Sequence, residues 1–193
     1  MDLKQLMVNP TLMAIVVAAV VVVAALAWLY SRRRSAATAR LRQHFGPEYE
    51  RSVREQGSER KAEAQLADRQ KRIATLEIRD LDSAERERFS GQWHALQSRF
   101  VDDPKGAVTE ADALVSSLMQ TRGYPVADFD QRAADISVDH PRVVANYRSA
   151  HEIALRLAKG EANTEDLRTA TIHYRSLFEE LVLAPTVAIK EVA

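Results

Sequence analysis

The polarity pattern changes period three times along this chain. Residues 12–30, from Leu12 to Tyr30, are nineteen consecutive apolar residues with no internal repeat. At about 1.5 Å of rise each they make roughly 28 Å of helix, close to the ~30 Å hydrocarbon core of a bilayer. No charged residue lies between Lys4 and Arg32, so such a helix puts no ionisable group into lipid. Both ends are marked. Asn9 suits a helix cap and Pro10 the first helical position, while Trp28 and Tyr30 stand where amphipathic rings favour the headgroup layer.

From Ser31 the pattern turns polar with sparse apolar positions. Helix is expected to continue to Phe45 and to stop at Gly46-Pro47, after which Phe45, Tyr49 and Val53 form one narrow stripe. Beyond Gly57, residues 58–76 are rich in Ala, Glu, Lys, Arg and Gln. Ala62, Leu66, Ile73 and Leu76 fall near heptad spacing, but Arg69 lies on the same seam. Two heptads with a charge inside are too little for a coiled coil, and a solvated connecting helix is predicted.

After position 80 the period is consistently that of amphipathic helix. Asp82 and Glu85 make a capping box ahead of Phe89, Trp93, Leu96 and Phe100. Asp103 and Pro104 open a second helix with Val108, Ala111, Leu114, Val115, Leu118 and Met119 on its face, closed by Gly123. Asp128 and Gln131 open a short third, carrying Phe129, Ala133 and Ile136. His140-Pro141 is read as the start of a fourth, with Val143, Val144, Tyr147, Ile153, Ala154 and Leu157. Asn163 and Asp166 cap a last one with Leu167, Ala170, Tyr174, Leu177, Phe178 and Leu181. The predicted class is therefore all-α: a transmembrane helix, a helical stem, and a bundle of four longer helices plus a short one. The predicted divisions are an extracytoplasmic stub 1–10, a span 11–31, a basic stem 32–80, a bundle 81–183 and a frayed tail 184–193.

Charge adds orientation. The 27 basic and 27 acidic residues cancel overall, but residues 31–80 hold 13 basic against 8 acidic, a net of +5, and residues 81–193 hold 13 against 18, a net of −5. Arg32, Arg33, Arg34, Arg40 and Arg42 follow the apolar run with no acid among them. The positive-inside bias then places 31–193 in the cytoplasm and the N-terminus outside, at the plasma (inner) membrane. A cleavable signal is the competing reading, since Ala25-Leu26-Ala27 resembles a cleavage site, but signals carry their positive charge before the apolar run. Basic residues beside a span point to lipid, and the acidic distal half points away from nucleic acid. Zero cysteines suits a cytoplasmic domain and removes thiol chemistry.

Candidate chemistry is thin. His94, His151 and His173 lie on three different predicted helices and would have to converge to hold a metal, yet there is no His-Glu-x-x-His or Glu-x-x-His spacing. Asp102 and Asp103 read as capping acids before Pro104, and Asp139 as an acid near a helix N-terminus contacting His140. No nucleophile elbow or glycine-rich phosphate loop occurs. No catalytic, cofactor-binding or metal residue is assigned, and no cofactor is implied.

Three strings, FVDDPKGAVTEADALV, RGYPVADFDQRAADISVDHPRVVANYRSAH and TEDLRTATIHYRSLFEELV, carry a resemblance. Over roughly residues 30–183 the chain resembles a group of uncharacterised bacterial single-span membrane proteins with an arginine-rich flank and a helical C-terminal region. The resemblance implies a bacterial membrane protein with a cytoplasmic helical domain and brings no activity or catalytic residue. The expectation is a non-enzymatic protein that is integral to lipid and binds an unknown protein partner. A metalloprotein or enzyme using His94, His151 or His173, and an envelope-linked signalling component, are the alternatives.

Overall fold

The computed structural model describes residues 10–125 and 127–183. Among them every regular element is helical. In chain order these are α1 (Pro10–Phe45), α2 (Pro47–Gln56), α3 (Glu59–Ala74), α4 (Ser83–Arg99), α5 (Pro104–Thr121), α6 (Phe129–Asp139), α7 (Val144–Ala158) and α8 (Thr164–Leu183). The chain divides into two compact units between Gln43 and His44. Asn9, the proposed cap of α1, and the tail 184–193 lie outside the described residues.

In the first unit α1 contains the whole apolar run, and residues 13–30 are exposed throughout. A soluble core helix would bury such a face. This is one helix long and apolar enough to cross a membrane.

In the second unit α5, α7 and α8 form the centre, with α7 and α8 sharing the most extensive contact. Their facing stripes are Val108, Ala111, Val115 and Leu118 on α5, Tyr147 and Ala150 on α7, and Leu167, Ala170, Tyr174 and Leu177 on α8, all buried. Helix α4 lies on α5, where Trp93 stacks on Phe178 of α8 at 4.7 Å between ring centres. The starts are set as the sequence predicts. Asp82 accepts from the Glu85 amide (2.7 Å) while Glu85 accepts from the Asp82 amide (3.0 Å), and Asn163 and Asp166 exchange the same pair at 2.9 Å each.

Two expectations change. The fourth bundle helix begins at Val144, not at His140-Pro141: a residue before proline is disfavoured in helical conformation. His140 (φ −129°) instead closes α6, its amide bonding to the Ile136 carbonyl. The second change concerns the stem. Residues 58–76, expected as a solvated connecting helix, are packed: Ala62, Leu66 and Ile73 are buried, as are Phe45 and Tyr49 before them, α2 packs on α3, and α3 packs on α6. The unit that the sequence starts at 81 starts at His44.

The connection from α3 to α4 is also tied down. Arg122, 1% exposed, donates from Nη1 to the Leu181 carbonyl (2.7 Å) and from Nε to the Arg79 carbonyl (3.2 Å), and the Arg79 amide bonds back to the Arg122 carbonyl. One guanidinium thus holds the α3–α4 loop, the end of α5 and the end of α8 together.

Candidate functional site

The residues singled out from sequence fall in separate places. Trp28, Tyr30 and the arginines Arg32, Arg33, Arg34, Arg40 and Arg42 lie along α1, with the Arg32 guanidinium 5.1 Å above the Trp28 ring. Leu12 falls within α1, and its side chain lies outside the described ones. His94 is exposed and its Nδ1 contacts the Ser90 carbonyl at 2.7 Å, one turn back on the same helix. His151 lies flat on Phe129, ring centres 3.6 Å apart. His173 is half-buried on α8. Among the described residues no three of His, Asp and Glu come together in a way that could hold a metal.

Asp103 caps α5 by accepting from the Gly106 amide at 2.9 Å, as read from sequence. Asp139 does not cap a helix start. It ends α6 and accepts the Tyr124 hydroxyl at 2.7 Å, and His140 contacts Glu180 instead, at 3.1 Å. Burial raises the Asp139 carboxyl above its ordinary range and lowers His140 below its own.

A second polar group lies inside the α5–α8 centre. Tyr174 donates to Asp112 (2.9 Å), and Arg132 donates from Nη1 to Ser116 Oγ (2.7 Å). Burial pushes the Tyr147 phenol up to about 12, raises Tyr174 as well, and lowers His151. Both phenols and the imidazole are therefore uncharged near neutral pH, the state of a structural network rather than of a poised acid and base.

A polar concavity lies elsewhere, between α2, α3, the start of α6, and α7. Its volume is about 620 Å³, within the range of small-molecule sites. Its floor is the two least exposed arginines of its lining, Arg69 and Arg148, anchored on Glu48, 4% exposed, in the first turn of α2. Arg148 of α7 donates from Nη2 to Glu48 Oε1 at 2.6 Å, and Arg69 of α3 donates from Nη1 to the same oxygen at 3.0 Å. Beside them Arg72 pairs with buried Asp135 (3.1 Å), which also accepts from Gln131 (2.7 Å). Two buried polar atoms on residues that line the cleft, Arg148 Nε and Gln65 Oε1, have no partner among the described residues. Around the mouth stand Asp68, Asp128 and Asp130.

Sequence reading missed this site because its members come from both halves of the chain. One signal was present: Arg69 on an otherwise apolar seam needs a buried acid.

The fold and these features define the class: an all-helical protein with one N-terminal helix long and apolar enough to cross a membrane, and a compact helical unit from His44. No protein-family model, curated protein or solved structure matches the chain.

Proposed function

We propose that this is a single-pass bacterial inner-membrane protein, non-enzymatic, that holds its helical unit in the cytoplasm to engage a protein partner. The observation that carries it is α1, whose apolar residues 13–30 are all exposed and are followed by five arginines without an acid. An apolar helix left unburied needs lipid or a partner to cover it, and its length matches a bilayer. The arginines favour the cytoplasmic side and anionic lipid. The resemblance to bacterial single-span proteins supports the same placement. The absence of a recognisable catalytic motif supports recruitment over chemistry.

Topology is tested by reporter fusions to the full chain at residue 193 and before residue 10. A C-terminal reporter active only in the cytoplasm is expected, and one active outside overturns the orientation. Recruitment is tested by comparing proteins retained by the detergent-solubilised full chain with those retained by α1 alone. A partner specific to the full chain is expected, and equal retention by α1 alone overturns the interaction reading.

A further inference from the structure

We propose that the cleft between α2, α3, α6 and α7 binds a small zwitterion, its oxyanion on Arg148 and Arg69 and its ammonium facing Asp128 and Asp130. This goes beyond partner recruitment and does not depend on it.

The charges decide the ligand class. On the floor two guanidiniums share one carboxylate, Glu48, and so leave one positive charge without a counterpart. The neighbouring arginines are matched: Arg72 by Asp135, and Arg51 by Glu55 at 2.6 Å. Arg148 is 8% exposed, and its Nε proton has no acceptor although the residue faces the cleft. A buried donor in that state calls for an oxyanion, and a guanidinium suits a carboxylate or phosphate best. A plain anion, however, must pass a mouth carrying Asp128 and Asp130, Asp68 being paired with Lys71 at 3.4 Å. These acids repel it and attract a cation. Gln65 Oε1, buried and without a donor, adds a place for an N–H of the ligand. An apolar ligand finds little here, since Ala134 is the one apolar side chain among the cleft's lining residues. A molecule with an oxyanion at one end and an ammonium at the other satisfies floor and mouth together.

The test is calorimetric titration of the full chain in maltoside micelles, which carry no charge. The probes are phosphoethanolamine and straight-chain ω-amino acids, with inorganic phosphate and putrescine as single-charge controls. At least one zwitterion is expected to bind saturably, and each control at least about tenfold more weakly. Asp130→Asn, an exposed change, is expected to weaken that zwitterion about tenfold and leave the thermal midpoint in place. Arg148→Gln is expected to abolish binding, and the Asp130 variant keeps the test open if Arg148→Gln does not fold. The proposal is overturned if no zwitterion gives a saturable signal, if phosphate binds as tightly as the best of them, or if Asp130→Asn changes nothing. Phosphoethanolamine alone binding points to a lipid-type headgroup, and ω-amino acids binding equally well points to a free amine-carboxylate, either within the proposed class.

Discussion

Glu48→Gln removes the one buried negative charge that Arg69 and Arg148 share. Glu48 is 4% exposed and Arg148 8% exposed, so the pairing is desolvated on both sides. Removing one partner of a buried ion pair typically costs about 3–5 kcal/mol, because the other charge stays buried without compensation. The amide keeps an oxygen that one guanidinium can still use, and Arg69 can move toward solvent. The expected cost is therefore the lower end, about 3 kcal/mol. With a urea dependence of about 2 kcal/mol per M, the unfolding midpoint falls by roughly 1.5 M. The measurement is urea unfolding of the full chain in maltoside, followed by far-UV circular dichroism and by Trp93 fluorescence. Arg148→Gln in the Glu48→Gln background is the control for mechanism. It removes a charge that has become uncompensated, so the double variant should be more stable than the sum of the single effects by about 1 kcal/mol or more. A midpoint shift below about 0.3 M, the size expected of a surface ion pair, would refute the reasoning.

Other expectations are more local. Asp82→Ala removes the side-chain half of the α4 capping box and should cost about 1 kcal/mol in thermal unfolding; Glu85 is held down to about 2 first by its bond from Arg79, so Arg79→Gln should let it titrate at higher pH in a carboxylate NMR titration. Gly123 sits at φ 98°, where an added Cβ would run into the Glu77 carbonyl, whereas Gly160 at φ 75° has open space around it. Gly160→Ala should therefore cost about 1 kcal/mol from conformation alone and Gly123→Ala clearly more, and equal thermal midpoints would argue against the close approach of the α3–α4 loop. His140 and His151 are both lowered by burial from the ordinary value of 6.5, so the unfolded chain binds more protons below that pH. Their contribution to stability is full above pH 6.5 and is lost as pH falls toward the folded values. The urea midpoint should be lower at pH 5.5 than at pH 7.5, and His140→Gln should reduce the difference; around His140, Glu180 and Asp139 oppose the lowering and Arg122 reinforces it.

Local signals carried most of the helices into view. Asp82, Asp103, Asp128 and Asn163 are capping residues whose bonds span three positions, so sequence alone contains both partners. The apolar run needs no tertiary information at all, since lipid rather than protein is its expected surroundings. The misreadings share a cause. His140-Pro141 looks like a helix start because proline tolerates the first turn, but the same proline also ends the helix before it. Residues 58–76 look solvated because Ala62, Leu66 and Ile73 are few, yet three buried side chains suffice once α2 covers one side and α6 another. The cleft was illegible for a stronger reason. Glu48 and Arg148 are a hundred positions apart, and no spacing rule links them.

Moving the boundary to His44 also redistributes the charge. Of the basic residues in 31–80, Arg51, Arg69, Arg72 and Arg79 are taken up by Glu55, Glu48, Asp135 and Glu85 of the second unit. A guanidinium committed to a carboxylate at about 3 Å attracts anionic lipid only weakly, since the pair presents little net charge beyond the Debye length. The five arginines of α1 then dominate any lipid attraction, at about 1 kcal/mol each near an anionic surface. The net of +5 over 31–80 is thus the basic flank of the apolar helix alone, since residues 44–80 hold 8 basic against 8 acidic, and the ion pairs there fasten α2 and α3 to the bundle. Replacing Arg32, Arg33 and Arg34 with Gln should shift topology or vesicle affinity and leave the urea midpoint of the second unit unchanged. Replacing Arg69 and Arg72 should do the reverse. If both sets moved both readouts, the separation of anchor from ion-pair system would be wrong.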